Sequence, residues 1–274
     1  MLRSLYSGVS GMRGFQNKLD VIGNNIANVN TVGFKMGRVM FKDILSQTVG
    51  GITAPDGANQ GGVNAKQIGL GVATGAIDTI NTPGSAQTTN VVTDLRIDGD
   101  GYFAVKASLD QAVPFLTRAG NFTIDANRNL VTTDGLHVIG VGGDPIQLAE
   151  DVTAFTIGQD GKIIAISSNG TSSSDGQPQV GVIKVTNPGG LEKIGGNLYR
   201  TNSNADANTA LEAVAPNDAT LGTGSIVSGQ LEMSNVDLTS EFTEMIIAQR
   251  GFQSNSRIIT TSDEILQEIV NLKH

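Results

Sequence analysis

The strongest constraint on the fold of this chain is a seven-residue apolar repeat found at each end of the sequence. Within residues 1–30 one apolar series recurs every seven positions, and a second series lies three positions further on. Residues 236–272 contain a seven-residue apolar series as well, with a second series at the neighbouring positions, and such repeats are typical of coiled-coil helices. The pattern therefore predicts a long helix at each end. We name the apolar residues that the two helices contribute the assembly seam: Leu5, Met12, Phe15, Leu19, Ile22, Ile26, Leu238, Met245, Phe252, Ile259 and Leu266.

The two predicted helices differ in charge. Residues 1–42 contain six Lys or Arg and one Asp, whereas residues 235–274 contain three Lys or Arg and six Asp or Glu. Asp237 suits the N-cap of the second helix, because its side chain can accept a hydrogen bond from a free N–H group of the first turn. We therefore predict that the two helices lie side by side, antiparallel, and pair as a coiled coil.

Two helices alone do not cover all of this apolar surface. A pair buries one side of each helix, and Val9, Ile246 and Ile247 widen the apolar arc beyond the seam. Large exposed apolar patches on soluble chains mark interaction sites. Neighbouring copies of the same chain can cover such a patch, and a head-to-tail contact repeated by rotation and rise builds a helical filament. The sequence thus predicts a homo-oligomer in the form of a helical tube.

The middle of the chain has the turn chemistry of a β domain. The chain contains 35 Gly, and Asp134-Gly135 and Asp160-Gly161 each separate two short apolar runs, as in a β-hairpin. The predicted fold class is therefore α+β, with long terminal helices that pair as a coiled coil and a central antiparallel all-β domain. We predict a helical assembly domain over 1–30 plus 236–274, a linker over 31–75 that is richest in Gly over 47–66, and a β-rich outer domain over 76–235.

Composition argues against several function classes. The chain has no Cys, which removes disulfides and thiolate chemistry, and its two His residues, His137 and His274, are too few for a His-based zinc site or triad. The net charge is -8, so the chain lacks the basic surface that nucleic acids and anionic membranes attract. No window approaches the length of apolar sequence that a membrane-spanning helix requires. We predict a non-enzymatic protein without catalytic, cofactor-binding or metal-binding residues, without nucleic-acid partners and without direct membrane insertion.

One glycine-rich motif resembles two ligand-binding patterns. Asp98-Gly-Asp100-Gly begins like a calcium loop, but the twelfth position is Leu109, where that loop needs a Glu. Gly99-x-Gly101-x-x-Ala104 has the form of a dinucleotide fingerprint, but such a motif must open a helix, and the residues that follow favour a strand. We interpret the motif as a tight turn before a strand.

Ordered motifs at both ends resemble those of the bacterial flagellar rod and hook protein family. At the N-terminal end they are SGMRGFQNKL at 10–19, DVIGNNIAN at 20–28 and TVGFK at 31–35. Towards the C-terminal end they are LEMSNVD at 231–237, MIIAQRGFQSNS at 245–256 and TTSDE at 260–264. IDGDGYF at 97–103, TRAGNF at 117–122 and GGNLY at 195–199 resemble motifs of the family's β domain. The resemblance therefore extends over nearly the whole chain.

The resemblance implies a structural subunit of the flagellum. Such subunits leave the cell unfolded through the flagellum-specific secretion channel, without a cleaved signal peptide, and polymerise outside it. It implies as partners other copies of the chain, other flagellar axial and junction proteins, the export apparatus and the cap. It also places six residues in family motifs: Asn24, Asn25 and Asn28 near the end of the first helix, and Asn235, Gln249 and Arg250. The first three are expected to form local hydrogen bonds to the backbone.

Two positions in the flagellum fit the resemblance, and other classes stay open. The Gly- and Ala-rich linker favours the hook, a flexible universal joint that transmits motor torque to the filament. The alternative is the distal rod of the basal body, a straight drive shaft whose subunits resemble this chain in length. From other classes, the chain could be a secreted β-rich adhesin with coiled-coil ends, or a hydrolase with an unrecognised carboxylate pair.

Overall fold

The computed structural model of the chain describes residues 2–55, 61–108, 111–150, 152–167, 172–173, 178–206 and 211–272. By compactness the chain divides into two units. The helical unit comprises residues 1–27, 37–79 and 237–274, and the β-rich unit comprises residues 28–36 and 80–236. A helix near each terminus and antiparallel strands between them confirm the predicted α+β class. No helix in the described part of the chain is both long and apolar enough to cross a membrane.

The helical unit contains two long helices and four strands. They are α1 (Leu2–Ala27), β1 (Gly37–Asp43), β2 (Ser46–Gly50), β3 (Lys66–Gly69), β4 (Val72–Thr79) and α2 (Leu238–Asn271). The α2 helix begins after Asp237, whose Oδ1 accepts a hydrogen bond from the Thr239 N–H at 3.0 Å. The predicted N-cap is therefore confirmed.

The strands of the helical unit form one antiparallel β-ribbon. β1 pairs with β4 from Gly37 opposite Thr79 to Asp43 opposite Val72, with a bulge after Met40. Further out, β2 pairs with β3, and an isolated bridge joins Thr53 to Val63. The inner half of the ribbon packs on α1, where the rings of Phe15 and Phe41 lie 6.0 Å apart. The outer half, β2 and β3, is almost wholly exposed.

This ribbon differs from the linker predicted over 31–75. Residues 28–36 group with the β-rich unit, and part of the Gly-rich stretch over 47–66 is paired: residues 47–50 belong to β2, Lys66 begins β3, and a bridge joins Thr53 to Val63. Glycine weakens a strand but does not prevent pairing, because every glycine keeps its N–H and C=O groups for the ladder. Residues 56–60, the centre of that Gly-rich stretch, lie outside the described residues.

The β-rich unit consists of short antiparallel strands. They are β5 (Ala86–Thr88), β6 (Leu95–Asp98), β7 (Tyr102–Lys106), β8 (Phe115–Thr117), β9 (Phe122–Ile124), β10 (Leu130–Thr132), β11 (His137–Val138), β12 (Val152–Ile157), β13 (Ile163–Ser167), β14 (Ser172–Ser173), β15 (Val182–Ile183), β16 (Glu192–Gly195), β17 (Leu198–Arg200), β18 (Ser225–Ser228) and β19 (Gln230–Glu232). The largest sheet has the order β16-β17-β8-β7-β11-β10-β9, with β15 also paired to β7. Smaller sheets join β12 to β13 and β14, β18 to β6, and β19 to β5.

The core of the β-rich unit lies around β6, β7 and β9. Leu95, Phe103 and Val105 are fully buried there, and the rings of Phe103 and Phe122 pack edge to face with centroids 5.1 Å apart. The predicted hairpins at Asp134-Gly135 and Asp160-Gly161 are confirmed, as the β10–β11 and β12–β13 connections. The Asp98–Gly101 motif forms the predicted turn, because both of its glycines have positive φ and β7 follows.

Candidate assembly site

The two terminal helices lie antiparallel in a constant register. Lys18 forms a salt bridge with Glu244, and Asn25 donates a hydrogen bond to Glu241 at 3.2 Å. Further along, Phe15 of α1 lies against Gly251. Residues nearer the start of α1 therefore lie opposite residues nearer the end of α2, as predicted for an antiparallel pair.

Glycines allow the helices to approach each other closely. A methyl group added at Gly251 would lie 2.5 Å from Cζ of Phe15, and one added at Gly11 would lie 2.7 Å from Nδ2 of Asn255. At Gly8 it would touch Asn255 and Ile259 at 3.6 Å. Each glycine inside a helix costs about 1 kcal/mol relative to Ala. Close packing of the helix pair at these positions offsets that cost.

The seam residues differ in how far the isolated chain covers them. Ile22 is buried against its own chain, and Leu238 and Phe252 are exposed. The other seam residues are half-buried: Leu5, Met12, Phe15, Leu19, Ile26, Met245, Ile259 and Leu266. A further set of exposed apolar side chains lies on α2 and its C-cap residue: Phe242, Ile246, Ile247, Ile258, Ile265, Ile269, Val270 and Leu272. The single chain thus leaves a large apolar surface on its C-terminal helix open to solvent.

The end of α2 extends beyond α1. Gly8 of α1 lies opposite Ile259, and α1 begins at Leu2. In this register, about two turns at the end of α2 have no described residue of α1 opposite them. Ile265, Ile269 and Val270 lie on these turns and are exposed. This end of α2 is therefore apolar surface that its own chain leaves uncovered.

The side chain of Asn25 joins three elements of the helical unit. It is 1% exposed; its Oδ1 accepts the Gly37 N–H at 3.0 Å, and its Nδ2 donates to the Gly37 carbonyl oxygen at 2.9 Å. Nδ2 also donates to Oε2 of Glu241. One amide thereby links the end of α1 to the start of β1 and to the first turns of α2. We name the contacts of Asn25 with Gly37 the Asn25 bridge.

Asn235 plays a similar part within the β-rich unit. Its Oδ1 accepts the Met36 N–H at 2.8 Å, and its Nδ2 donates to the Ile80 carbonyl oxygen at 2.9 Å. The Ile80 N–H in turn donates to the Met36 carbonyl oxygen at 2.9 Å. We name this arrangement the Asn235 bridge. It connects residue 36, residue 80 and the segment that leads towards α2.

The remaining motif residues lie after α1 and along the two helices. Asn28 forms a local turn after α1, because its carbonyl oxygen accepts the Thr31 N–H and its Oδ1 accepts the Thr31 hydroxyl. Asn24, Gln249 and Arg250 are exposed on the helices. The six motif residues are therefore not one cluster, and Asn25 and Asn235 each join separate segments of backbone.

A buried charge cluster of Lys35, Arg118 and Glu232 lies in the β-rich unit and was missed by sequence reasoning. Glu232 pairs with Lys35 through Oε1 and with Arg118 through Oε2, the latter at 3.2 Å, and Oε1 also accepts the Gly84 N–H at 3.1 Å. Lys35 further donates to the Thr82 carbonyl oxygen at 2.8 Å. The sequence offers one indication of this cluster, because Lys35, Arg118 and Glu232 each lie in a different one of the family-like motifs described above.

Burial perturbs two titratable groups of these sites. The pKa of Lys35 lies below its ordinary value of 10.5, because burial opposes the charged form more than Glu232 favours it. The pKa of Glu241 lies above its ordinary value of 4.5, because burial disfavours the carboxylate more than the bond from Asn25 stabilises it. Among the residues that the structure describes, no three His, Cys, Asp or Glu side chains are placed to share a metal ion.

We expect Glu241→Gln to remove a pH-dependent destabilisation of the helix pair that arises from the buried carboxylate. A carboxyl group whose pKa is raised on folding contributes stability at pH below about 4.5, and that contribution is lost as the pH rises through the folded-state pKa. Relative to wild type, the variant should therefore gain free energy of unfolding as the pH rises above 4.5, while its amide oxygen still accepts the bond from Asn25. Denaturation followed by helical circular dichroism between pH 4 and 7 measures this difference.

The matched control is Glu264→Gln, which changes an exposed Glu on the same helix. Its free energy of unfolding should follow that of wild type across the same pH range. If Glu241→Gln behaved like Glu264→Gln, the cost that we assign to the buried carboxylate would be absent.

Comparison with known protein families matches the chain in three places. The model described as "Flagella basal body rod protein" matches residues 5–35, and the one described as "Flagellar hook protein FlgE/F/G D1 domain" matches residues 96–165. The third, "Flagellar basal body rod FlgEFG protein C-terminal", matches residues 227–272. The first and third cover most of both terminal helices, and the second covers strands of the β-rich unit.

Individual relatives match over the whole chain. The flagellar basal-body rod protein FlgG of Bacillus subtilis is 57% identical, with 100% of both chains covered. FlgG of Borreliella burgdorferi is 35% identical, with 100% of this chain and 99% of that protein covered. The flagellar hook protein FlgE of the same organism is 28% identical over 454 aligned positions, with 100% of both chains covered. The chain therefore belongs to the family of flagellar rod and hook proteins, structural components of the bacterial flagellum.

Proposed function

We propose that the chain is the subunit of the distal rod, the straight drive shaft of the flagellar basal body. The observation that carries this proposal is the 57% identity to a basal-body rod protein over the full length of both chains. The hook protein relative is 28% identical over 454 aligned positions, against the 274 residues of this chain. That relative therefore carries long stretches without a counterpart here. The rod, which sequence reasoning kept as the alternative, fits the comparisons better than the hook.

Strand pairing at the start of the Gly-rich stretch supports the rod over the hook. A loose linker over 47–66 would suit a flexible joint, whereas residues 47–50 belong to β2 and pair with β3, with Gln47 opposite Ile68 and Thr48 opposite Gln67. A paired two-stranded ribbon resists bending more than a free chain, because its backbone bonds fix the φ and ψ angles of both strands. A stiffer connection suits a straight shaft better than a flexible joint.

Self-assembly into a helical tube is the proposed route to that shaft. The exposed apolar surface of α2, including its uncovered end, needs a cover in water, and further copies of the chain provide one by a repeated head-to-tail contact. In this proposal residues 1–30 and 236–274 pair as a coiled coil and form the assembly domain, residues 31–75 connect it, and residues 76–235 form the outer domain. The seam residues then bind neighbouring copies as well as each other.

The proposed environment follows from the same assignment. The subunit is exported through the flagellar export apparatus without a cleaved signal peptide, assembles with a cap, and contacts other axial and junction proteins at the ends of the rod. No catalytic step is proposed. The matches to the rod and hook family at both ends and the full-length identity to a rod protein support an assembly role over an adhesin or a hydrolase.

Electron microscopy of the polymerised protein, together with labelling in purified basal bodies, tests the proposed function. Straight tubes and label between the inner rod and the hook are the expected result. Curved tubes with label on the hook would establish the hook instead. Discrete trimers, or label absent from the axial structure, would overturn both.

A single charge on the exposed face of α2 should block polymerisation without unfolding the chain. Ile246 is 59% exposed, so Ile246→Asp should leave the helical circular dichroism unchanged. In the tube, however, the new carboxylate would enter an apolar contact, where an unpaired charge is costly. We expect at least a ten-fold loss of sedimentable polymer. Leu19→Asp and Phe252→Asp, which charge the seam itself, should have the same effect on assembly.

Gln253→Asp is the matched control, since it adds the same charge at an exposed polar position of the same helix. Polymer yield close to wild type is expected for this variant. Normal polymerisation of Ile246→Asp would show that this face of α2 stays in solvent in the assembled state.

A further inference from the structure

The helical unit contains a groove of about 450 Å³ between α1 and its ribbon. Tyr6 and Val9 of α1 line this groove together with Ile44, which lies between β1 and β2. All three side chains are exposed, Tyr6 at 72% of its surface. Large apolar side chains around an open groove are a surface that a binding partner covers. We name this feature the α1–ribbon groove.

Hydrogen bonds between α1 and the ribbon hold the two walls of the groove in place. Nδ2 of Asn17 donates to Oγ1 of Thr74 at 3.1 Å, and the Val72 N–H donates to Oγ of Ser10 at 3.3 Å. These four residues line the groove themselves. A partner therefore meets a groove that is already formed, so that little ordering free energy is lost on binding.

The α1 wall of the groove is basic. Arg3 and Arg13 lie on the same face of α1 as Tyr6, at spacings of three and seven residues from it. Both arginines are exposed, and neither forms a salt bridge with any carboxylate in the described part of the chain. Lys42 and Asp43, at the end of β1, balance each other in charge. The groove thus offers apolar surface with two unpaired positive charges.

The last turns of α2 have the complementary character. Ile265, Glu268, Ile269 and Leu272 share one helix face, because they follow one another at spacings of three or four residues or lie side by side. All four are exposed. Residues 258–272 contain three acidic residues and no Lys or Arg. We name this apolar and acidic end of the helix the α2 tip.

The α2 tip of a chain points away from the groove of the same chain. Gly8 and Gly11 of α1 face α2, since each lies against Asn255. Tyr6 and Arg13 are each two positions from one of these glycines, which is about 200° around the helix axis. The groove is therefore on the far side of α1 from α2, and the tip extends past the start of α1. Another molecule must supply the occupant.

We propose that the α2 tip of one copy docks in the α1–ribbon groove of the next copy, with Glu268 facing Arg13. This inference deepens the proposed function and rests on its self-assembly. Ile265 and Ile269 enter the apolar part of the groove, and the opposite charges select the partner and its orientation. Tip and groove are different surfaces of one chain, so the contact is head-to-tail and can repeat along a shaft.

The first experiment reverses each charge separately in the purified full-length chain. Arg13→Glu and Glu268→Lys should each lower the yield of sedimentable polymer at least ten-fold, because like charges then meet in the contact. Both positions are exposed, so helical circular dichroism should be unchanged. Lys162→Glu and Glu150→Lys make the same charge changes at exposed positions of the β-rich unit and should polymerise like wild type. Wild-type yields from both Arg13→Glu and Glu268→Lys would overturn the proposal.

Mixing the two variants tests whether the contact joins different copies. In an alternating polymer, the groove of Glu268→Lys meets the tip of Arg13→Glu, and both surfaces are there as in wild type. At the other contact the two introduced charges face each other and are opposite in sign. An equimolar mixture should therefore recover at least half of the wild-type yield. A mixture that polymerises as poorly as either variant alone would overturn the proposal and leave the groove to a different partner.

Cross-linking locates the contact in the polymer. The chain has no Cys, so introduced thiols are the only ones present. A polymer grown from Tyr6→Cys chains mixed with Ile269→Cys chains should give covalent dimers of the two variants with a short bis-maleimide. Lys162→Cys in place of Tyr6→Cys is the control and should give no such dimers. Polymers of the first mixture that yield no dimers would overturn the proposal.

Failure of the proposed function appears differently. In that case the labelled wild-type chain is missing from the distal rod, although its purified polymers still show the contact between tip and groove. A wild-type chain that forms no polymer at all would overturn both the proposed assembly and this contact.

Discussion

Glu232→Gln is expected to lower the free energy of unfolding of the β-rich unit by about 3–5 kcal/mol, because it leaves buried charges without their partner. The side chains of Lys35 and Arg118 are 1% and 5% exposed, and both pair with Glu232. A glutamine of the same size would retain hydrogen bonds but leave two neighbouring buried cations. Urea denaturation followed by the fluorescence of Tyr102 and Tyr199, both buried in this unit, measures the loss.

Two further variants separate charge balance from packing. Lys35→Met should cost clearly less than Glu232→Gln, since Glu232 then keeps Arg118 and the Gly84 N–H, and burial already disfavours the charged form of Lys35. The double variant Lys35→Met/Glu232→Gln should be more stable than Glu232→Gln alone, because one of the two unpaired cations is gone. Equal losses in all three variants would show that shape, and not charge, determines stability at this cluster.

Gly251→Ala is expected to destabilise the helix pair by about 1–3 kcal/mol, although helix propensity alone favours the substitution by about 1 kcal/mol. The added methyl group would lie 2.5 Å from Cζ of Phe15 and 2.8 Å from two further ring atoms. Either the ring must leave its position or the helices must separate. Thermal denaturation followed at 222 nm measures the effect on the helical unit.

Gly23→Ala is the matched control, because Gly23 lies in α1 with nothing within 4 Å of the added methyl group. That variant should gain about 0.5–1 kcal/mol. Adding Phe15→Leu to Gly251→Ala should recover part of the loss by removing the ring. If Gly251→Ala stabilised the chain as much as Gly23→Ala, close approach at Gly251 would play no part in helix pairing.

The features that could be predicted from the sequence are local ones. The helices follow from apolar spacing within 30 to 40 residues, and the N-cap at Asp237 needs only the two residues that follow it. The hairpins at Asp134-Gly135 and Asp160-Gly161 follow from turn residues between short apolar runs. In each case the partners are close in sequence, so periodicity and turn chemistry are sufficient evidence.

The features that could not be predicted depend on distant partners. Ser46 pairs with Gly69 across a Gly-rich stretch whose composition is typical of a loop, so the ribbon was interpreted as a linker. Lys35 meets Glu232 across 197 positions, and Asn235 meets Met36 across 199. Motif resemblance marked both segments without revealing that they meet. The preference for the hook has the same origin. It rests on the Gly- and Ala-rich composition of the stretch over 47–66, and composition does not reveal how that stretch pairs.

The meeting of residues 28–36 with residues 230–235 has a consequence for incomplete molecules. Lys35, the Met36 N–H and the Gly33 N–H, which donates to the Glu232 carbonyl oxygen at 2.8 Å, all find partners in a stretch that the ribosome makes near the end of synthesis. A product terminated before residue 230 would contain every strand from β5 to β18 and still lack those partners. A translation error that shortens the polypeptide is therefore expected to impair folding of the β-rich unit, before the defective subunit can be built into a rotating machine.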